Sequence, residues 1–355
     1  MQVVPLTENN RTDWDNFCCQ SDDAWFWHTI KWLDYCVVYG QENFGTNNLS
    51  FLVKDDTGLI AICPLLCEKD LFAARGGGRY GALPALANGL SGSRREKVIK
   101  YIFEKIDELA GGGSIKKIYF RSSPLAKTTM KFNWLVKLGY LDDSLNTELI
   151  QLDRPIDDIW AAVRKGHKYD INRGSKHYKV DFIDRHNADK TIFDQYRLLH
   201  HKAAGRVTRP VETFEMMYRW IKDGEGLLCG LSFEGRFVGF SYVCIYKSAA
   251  YYASASDDPD FKDDVPISHV IQWETIKYLK NLGFKTYEIG VQQFGPQFND
   301  LPSDKEVSIS NFKRGFGGET VTYYRGVKYF DKEYMQKELS TKLNQLTLDY
   351  QIGGR

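Results

Sequence analysis

Two stretches of the chain place a glycine turn between short apolar runs, which is the pattern of a β-hairpin. The first, FLVKDDTGLIAICPLL, turns at Asp56-Thr57-Gly58, and the second, LLCGLSFEGRFVGFSYVCIY, turns at Glu234-Gly235. The flanking runs are rich in Val, Ile, Phe and Tyr, which favour strands. The pattern therefore predicts one antiparallel hairpin in each half of the chain.

Each predicted hairpin is followed by a segment whose apolar residues recur every three to four positions. This spacing predicts two amphipathic helices, which lead into the strands IKKIYF and KTYEIGV. Glycines end the first helix, and Gly283 is expected to end the second. The predicted buried stripes are Val98, Ile102, Ile106 and Leu109 in the first helix, and Ile267, Val270, Ile271, part of Glu274, Ile276 and Leu279 in the second.

The order of these elements repeats along the chain at a similar offset. Gly58 and Gly235 are 235 − 58 = 177 positions apart, and Ile118 and Tyr287 are 287 − 118 = 169 apart. Two copies of one α/β unit explain this agreement, and chance similarity of common βα patterns is the alternative. The predicted domains are residues 1–153 and 154–355, each with a mixed sheet because hairpins and crossover helices occur together.

Composition narrows the class of protein without identifying it. The 355 residues carry a net charge of 47 − 46 = +1, which argues against a general nucleic-acid binder and leaves a local basic patch open. The seven cysteines form no pair of C-x-x-C units, so neither a zinc cage nor a disulfide framework is expected. Without a signal-peptide pattern or an apolar run of membrane-spanning length, the sequence predicts a soluble, cytoplasmic protein.

The stretch SNFKRGFGGETVTYYRG sets two cations, Lys313 and Arg314, beside the glycines at 315, 317 and 318. Glycine lets the backbone turn tightly and approach a ligand closely. Cations together with bare N–H groups form a site for phosphate, carboxylate or a developing oxyanion. A plain β-turn explains the glycines equally well.

A basic stretch at the start of the second half suggests an anion site. The segment RPIDDIWAAVRKGHKYDINRGSKHYKV reads as one helix that Pro155 opens, with Arg164 and Lys168 four positions apart on one face. Its cations crowd one end, which favours binding of a phosphorylated or polyanionic substrate. A solvated helix surface is the alternative.

A second cluster follows in LLHHKAAGRVTRPVETF, where a helix should stop at Gly205 and leave a loop. That loop offers Arg206 and Arg209 to an anionic or carbonyl group, although helix capping and solvation explain them too. The pair His200-His201 lacks a carboxylate or cysteine at ligand spacing, so no metal site is predicted.

Motifs for other kinds of chemistry are missing from the sequence. There is no G-x-S-x-G elbow, no P-loop, and no dinucleotide fingerprint in GGGRYG near Gly76. These negatives favour catalysis by positioning and electrostatics rather than through a covalent intermediate.

The segments VPISHVIQWETIKYLKNLGFKTYEIGVQ and ISNFKRGFGGETVTYY, with the two similar halves, resemble the FemAB-like group of the GNAT superfamily. The resemblance is strongest after about residue 154, and Phe312-Lys313 before the glycine turn is its most specific part. It implies an α/β fold of two tandem GNAT-like domains with mixed sheets. It also implies transfer of an acyl group onto an amine, with aminoacyl-tRNA or an acyl thioester as donor and no bound cofactor.

The resemblance implies a role for Lys313, which would meet the acyl donor in a crevice between the halves and face the charge on its carbonyl, with Phe312 packed beside it. The general base is left open between His200, His201 and His269, although His269 at a helix start also suits packing. Residues expected to bind the substrate are Arg164, Lys168, Arg206, Arg209, Tyr252 and Arg314, of which Tyr252 also suits a core position.

One departure from the superfamily bears on the donor. The stretch before the second predicted helix, DDPDFKDDVPISHV, is acidic and lacks the glycines of a CoA-pyrophosphate loop, and ANGLSGSRREK in the first half is no match either. CoA is therefore disfavoured, less so a carrier protein that presents only its phosphopantetheine arm.

Three functional hypotheses follow. The first is acyl or aminoacyl transfer to an amine of an anionic cell-envelope or glycan precursor, such as a nucleotide-linked one, with tRNA as a partner where it is the donor. The second is an acyl-CoA- or acyl-carrier-dependent N-acyltransferase of a small-molecule biosynthetic pathway. The third is a non-catalytic module that binds a precursor or RNA, in which Lys313→Ala would leave function intact.

Overall fold

The computed structural model describes residues 1–74, 79–112, 114–126, 132–262 and 265–349. The glycines 76–78 of GGGRYG, Gly113 after the first predicted helix, and Asp263 and Asp264 of the acidic stretch lie outside the described residues. The elements, in chain order, are β1 (Gln2–Pro5), α1 (Arg11–Gln20), α2 (Ile30–Phe44), β2 (Thr46–Asn48), β3 (Phe51–Asp55), β4 (Gly58–Cys63), β5 (Leu66–Glu68), β6 (Leu71–Phe72), β7 (Gly81–Ala82), β8 (Ala85–Leu86), α3 (Gly92–Gly111), β9 (Lys117–Arg121), β10 (Leu141–Asp142), β11 (Leu145–Gln151), α4 (Ile156–Ala162), α5 (Lys165–Gly174), β12 (Lys179–Ile183), α6 (Lys190–Ala204), α7 (Val211–Asp223), β13 (Gly226–Phe233), β14 (Arg236–Tyr246), β15 (Ala249–Asp257), α8 (Ile267–Asn281), β16 (Thr286–Gln292), α9 (Asp304–Arg314), β17 (Glu319–Tyr323), β18 (Arg325–Tyr329) and α10 (Lys332–Asp349).

The chain divides into two compact units, and the first is built from three separate segments. The first unit comprises Met1–Leu145, Phe294–Lys305 and Thr322–Arg355, and the second comprises Asn146–Gln293 and Glu306–Val321. The C-terminal segments thus return to the first unit, which no hydrophobic pattern in the sequence indicated. The division into the domains 1–153 and 154–355 remains a prediction.

Both predicted hairpins are confirmed. β3 pairs antiparallel with β4 around the turn before Gly58, and β13 pairs antiparallel with β14 around Glu234-Gly235. The helices that follow them are α3 and α8, and most of the predicted stripe residues are buried. Gly283 follows α8 with φ +86°, a left-handed conformation that glycine adopts without strain.

Two of the three sheets are mixed, as the combination of hairpins and crossover helices predicted, whereas the pairs of the four-stranded sheet are all antiparallel. The described strands form a four-stranded sheet in the order β1-β3-β4-β8, and a second sheet in the order β10-β18-β9-β6-β5-β2 in which β7 also pairs with β9. The third sheet has the order β12-β13-β14-β15-β16-β11-β17. Among the described helices, none combines the length and apolar character that crossing a bilayer requires.

The third sheet contains a wedge that positions the candidate site. β15 and β16 run parallel and pair over three residues, from Ala249 with Thr286 to Tyr251 with Glu288. Both strands continue beyond this point, β15 paired with β14 and β16 paired with β11. The pairing between them therefore ends where Tyr252 and Ile289 begin, and the two strand edges face an opening in the sheet.

The basic segment after residue 154 does not form the single helix predicted for it. It forms α4 and α5, separated at Val163 and Arg164, whose backbones are extended. The break has a tertiary cause, because the N–H of Arg164 donates to the carbonyl of Gly315 at 2.8 Å instead of continuing a helical ladder. The prediction that Arg164 and Lys168 share a helical face is wrong, since Arg164 is the N-cap residue of α5.

Candidate active site

The Phe312-Lys313 pair lies in the last turn of α9, and the glycine turn follows directly. The N–H groups of Gly315, Phe316 and Gly317 donate to the carbonyls three residues earlier, at 3.0 to 3.2 Å. These amides are therefore used by the turn itself, and the predicted anion site of bare N–H groups does not form from them. Any anion binding at this turn depends on side chains.

The three glycines let the turn pack closely against its own unit. A Cβ on Gly315 would lie 2.1 Å from Nε2 of His167, and one on Gly317 would lie 2.5 Å from the backbone of Ala162. A Cβ on Gly318 would lie 2.8 Å from Cγ of Glu148. The close approach expected of these glycines is thus an approach to α4, α5 and β11, and it fixes the direction in which α9 ends.

Lys313 carries its amine into the wedge between β15 and β16. Its Nζ lies 5.4 Å from the centroid of the Tyr252 ring on β15, and it is 3.0 Å from the Cβ position of Gly290 on β16. Among the described residues, no side chain or backbone group forms a hydrogen bond or ion pair with it. Burial lowers the pKa of this amine, and the carboxylate of Glu288 partly offsets the effect.

Tyr252 supplies the apolar floor beneath that amine. Burial raises the pKa of its phenol, and the nearby charge of Asp257 raises it further, so the hydroxyl stays protonated at neutral pH. In the part of the chain that the structure describes, this hydroxyl has no hydrogen-bond partner. The amine of Lys313 and the neutral hydroxyl of Tyr252 therefore lie at this wedge, with the carboxylate of Glu288 close enough to act on the amine.

Two histidines pack beneath the Phe312-Lys313 turn. The rings of His167 and His269 meet edge to face with centroids 4.4 Å apart, and His269 also meets the Phe312 ring at 4.8 Å. Burial lowers the pKa of both, that of His269 to about 4. His269 Nε2 lies 3.7 Å from Asp170, whereas its buried Nδ1 has no hydrogen-bond partner among the described residues.

The cations nearest this turn already have protein contacts. Arg314 donates to the side-chain oxygen of Gln292 at 3.0 Å, and Arg164 donates to that of Asn311 on α9 at 3.1 Å. Lys168 donates to the carbonyl of Ala161 at the end of α4, at 3.0 Å. A cation in that position stabilises the helix C-terminus, which gives Lys168 a structural role.

The cluster predicted around His200 forms a separate group on α6 and the loop that follows. Arg209 lies 4.3 Å from the centroid of the Phe214 ring and donates to the buried Tyr196 hydroxyl at 3.4 Å. His200 lies 3.1 Å from the Thr208 hydroxyl, and burial beside Arg209 lowers its pKa to about 4. The exposed Arg206 follows Gly205, which ends α6 at φ +66° as predicted.

Neither histidine group is arranged as a metal site. Among the residues described, no three His, Cys, Asp or Glu side chains are placed together so that they could hold a metal ion.

Two carboxylates, Asp257 and Asp258, precede α8 and form hydrogen bonds and ion pairs. The hydroxyl of Ser268 donates to Asp257 at 2.6 Å, and Asp258 pairs with Lys202 at 2.5 Å and also with Arg236. The carboxyl group of Asp257, whose pKa is raised by burial, therefore lies against the N-terminus of α8, where a ligand phosphate would otherwise be favoured.

Sequence reasoning missed the buried carboxylates of this region. Glu148 on β11 accepts from Thr320 at 2.6 Å, and Glu288 on β16 accepts from Thr147 at 2.9 Å. Both stand inside apolar strand patterns, TELIQLD and KTYEIGV, and a charged residue in such a run is a signal that could have found them. His167 lies inside the basic segment RPIDDIWAAVRKGHKYDINRGSKHYKV, where no local pattern singles it out.

Comparison with known proteins agrees with this architecture. Residues 161–299 match the family model of the acetyltransferase (GNAT) domain. The structure of FemX is similar with a TM-score of 0.68 at 15% identity, covering 96% of this chain and 100% of that one. No curated protein matches the chain significantly in sequence.

Two further solved structures are similar over most of their length. The C-terminal domain of a putative lysylphosphatidylglycerol synthetase from Agrobacterium fabrum has a TM-score of 0.58 at 10% identity, covering 94% of this chain and 96% of that one. A tandem GNAT protein from the clavulanic acid biosynthesis pathway has a TM-score of 0.53 at 13% identity, covering 92% and 98%. At such low sequence identities, structural similarity supports a shared fold and nothing more specific.

The chain has the GNAT fold, and residues 161–299 match the acetyltransferase domain model of that fold. The predicted α/β fold of GNAT type is confirmed, and the structural similarity to FemX agrees with the FemAB-like resemblance at the level of the fold.

Proposed function

We propose that this protein is an acyltransferase that forms an amide by moving an acyl or aminoacyl group onto an amine of an anionic cell-envelope or glycan precursor, such as a nucleotide-linked one. The observation that carries the proposal is the amine of Lys313, which has no partner among the described residues and stands over Tyr252 in the wedge. An unpaired cation in a half-buried position destabilises the folded protein, and proteins retain such destabilising groups mainly in their active sites.

The chemistry needs a cation where the carbonyl oxygen becomes negative. The acceptor nitrogen attacks the donor carbonyl, a C–N bond forms, and the carbonyl electron pair moves onto oxygen. Lys313 stabilises that oxyanion, and removal of such a group typically lowers the rate on the order of 10²-fold or more. The intermediate then expels a ribose hydroxyl or a thiol, and the neutral Tyr252 hydroxyl can donate the proton that this leaving group takes up.

A base must also take a proton from the acceptor amine. His269 is neutral at pH 7 because its pKa is about 4, and its Nδ1 has no partner among the described residues. His200 is also neutral at this pH, but it belongs to the group around Tyr196. We therefore assign the base to His269 in first place and keep His200 as the second choice.

The anionic part of the acceptor is assigned to the arginines. Arg206 is exposed, and the guanidinium of Arg209 lies over the Phe214 ring and donates to the Tyr196 hydroxyl. Arg164 and Arg314 flank the end of α9 and add positive charge there. Lys168 contributes least, because its ammonium already binds the end of α4.

We favour aminoacyl-tRNA as the donor. The FemAB-like resemblance implies it, and Asp257 at the start of α8 opposes a CoA pyrophosphate there. The match of residues 161–299 to an acetyltransferase domain favours the second candidate, an acyl-CoA- or acyl-carrier-dependent N-acyltransferase of a small-molecule pathway. A cytoplasmic location fits either donor and is part of the proposal.

The test compares the two donors in separate reactions with purified protein. Charged tRNA and acyl-CoA are each incubated with UDP-linked and small-molecule amines, and the amide product is measured by mass spectrometry. We expect product from charged tRNA and a loss of about 10²-fold or more in Lys313→Met. Lys305→Met, an exposed lysine on the same helix, is the matched control.

Product from acyl-CoA alone would establish the second candidate instead. Binding of a precursor or RNA without amide formation, unchanged in Lys313→Ala, would establish the non-catalytic module.

A further inference from the structure

The internal repeat points to an arginine in the first unit. β6 and β9 run parallel, with Leu71 beside Lys117, as β15 and β16 do in the second unit, with Ala249 beside Thr286. Lys117 and Thr286 are 286 − 117 = 169 positions apart, the same offset that the sequence repeat gave. With this offset Arg121 at the end of β9 corresponds to Gly290, the residue beside the amine of Lys313.

The first unit has no open wedge at this position, because another strand closes it. β7 pairs parallel with β9, Gly81 beside Phe120 and Ala82 beside Arg121. The backbone of β9 is therefore hydrogen-bonded where the edge of β16 is open. What remains at the equivalent point is the Arg121 side chain itself.

The guanidinium of Arg121 rests on aromatic rings and on nothing of opposite charge. Its central carbon lies 5.0 Å from the ring of Trp27 and 5.6 Å from that of Tyr323. Its Nε is buried without a hydrogen-bond partner, and among the described residues no carboxylate forms an ion pair with it. The side chain as a whole is half-buried, so a small ligand can still reach it.

A second arginine lies directly opposite Arg121 on the neighbouring strand, which makes the lack of a counter-charge at Arg121 more unusual. Arg325 on β18 is the cross-strand partner of Arg121, and like charges in such a pair repel. Arg325 is neutralised, since it pairs with Asp143 at 3.2 Å and stacks on Tyr80 at 4.2 Å. Arg121 has no such counter-charge, so this pair of strands carries an excess of one positive charge.

We propose that Arg121 is the anchor of an oxyanion-binding site in the first unit, which takes a carboxylate or a phosphate group of a small ligand. A guanidinium presents parallel N–H donors that match the two oxygens of either group, and ring stacking fixes its plane in advance. The site lies within the first unit and does not depend on the acyl transfer assigned to the second.

The test measures anion binding by the whole chain. Inorganic phosphate and acetate are titrated separately into the wild type and into Lys313→Met, with tryptophan fluorescence and calorimetry as readouts. Saturable binding of at least one probe is expected in both proteins, and Arg121→Gln should weaken it about tenfold or more. Tighter binding of phosphate identifies a phosphorylated ligand, and tighter binding of acetate identifies a carboxylate.

Arg94→Gln is the matched control, because Arg94 also belongs to the first unit but has Asp55 as its own partner. It should bind the probe as the wild type does. If Arg121→Gln fails to fold, Arg121→Lys takes its place and should bind more weakly, because an ammonium cannot form two parallel bonds. The proposal is overturned if neither probe binds the wild type saturably, or if the Arg121 variant binds equally well.

Discussion

Nε2 of His167 lies 2.9 Å from the carbonyl oxygen of Phe312, and its ring occupies the space where a side chain on Gly315 would begin. A carbonyl only accepts hydrogen bonds, so the imidazole donates and carries its proton on Nε2. This contact, together with those of Arg164 to Asn311 and Gly315, ties α5 to the end of α9 and thereby helps to set the direction of Lys313. His167 is in this sense a positioning residue for the proposed reaction.

We expect His167→Ala to lower both stability and turnover. The Phe312 carbonyl would keep only the Gly315 N–H as a donor and a cavity would open, together costing about 2–4 kcal/mol in the free energy of unfolding. A displaced Lys313 would reduce kcat by about tenfold to a hundredfold with a smaller change in KM. Urea denaturation and steady-state kinetics measure the two effects.

His167→Gln provides the conservative comparison, since its amide can still donate to the Phe312 carbonyl and should recover part of kcat. His186→Ala, on an exposed loop, is the control for loss of any histidine. Equal kcat in wild type and His167→Ala would refute the positioning role.

Gly315→Ala tests the same packing from the other side. Its Cβ would stand 2.1 Å from Nε2 of His167, so the turn or the ring must move, at a cost of about 2–3 kcal/mol. Gly166→Ala is the matched control, because no atom lies within 4 Å of its Cβ position and alanine favours a helix. Gly166→Ala should be neutral or stabilising by up to about 1 kcal/mol. Thermal denaturation of both variants checks this, and equal stability would contradict the packing.

Local patterns predicted those parts of the fold that local interactions determine. The hairpin turns at Gly58 and Glu234-Gly235, and the helices α3 and α8, depend on residues within a few positions of one another. The break between α4 and α5 was missed because it depends on a hydrogen bond from Arg164 to Gly315, 151 residues apart by 315 − 164. A helical period cannot report a contact so distant in sequence.

The site shows the same division between local and distant information. Phe312-Lys313 was found because the motif is contiguous, and its place in the wedge follows from the register of Tyr251 with Glu288, which no local pattern encodes. His167 and Gly315 are likewise neighbours only in the fold. The return of residues 322–355 to the first unit has no periodic signature either.

Lys313→Met should stabilise the protein while it removes activity. A charged amine without a partner in a half-buried position opposes folding, and methionine fills a similar volume without charge. We expect a gain of about 1 kcal/mol, or a Tm higher by roughly 2–4 °C. Calorimetry measures the shift, with Lys305→Met as the exposed control. A lower Tm for Lys313→Met alone would mean that the amine has a stabilising structural role.

Acid should destabilise the protein over a pH range set by two half-buried histidines, His269 and His200. The pKa of His269 and that of His200 are each lowered to about 4, against an ordinary value of 6.5. As the pH falls through 6.5 the unfolded chain takes up protons first, so the free energy of unfolding decreases until the folded pKa is reached. His167 and Asp170 face His269, and Arg209 and His201 face His200.

The measurement is urea denaturation at pH 7 and pH 5. The loss of stability between them should be smaller in His269→Gln, and smaller again when His200→Gln is added. An unchanged loss in the double variant would show that other groups govern acid sensitivity.

The alkaline limb of the rate profile should belong to Lys313 rather than to Tyr252. Burial lowers the pKa of the Lys313 amine below its ordinary 10.5, whereas burial raises the pKa of the Tyr252 phenol. As the pH rises, Lys313 therefore loses its charge first, and kcat should fall at a pH below 10.5 because the oxyanion loses its counter-charge. Initial rates, corrected for spontaneous hydrolysis of the donor, give the profile.

Tyr252→Phe separates the two groups, because it removes the hydroxyl and keeps the ring beneath the amine. Its kcat should fall if the hydroxyl protonates the leaving group, yet the alkaline limb should persist at a similar pH. Lys313→Met should lose the limb together with most of the rate. If instead the limb vanished in Tyr252→Phe and remained in Lys313→Met, the phenol would be the titrating group, and the assignment of the oxyanion to Lys313 would fail.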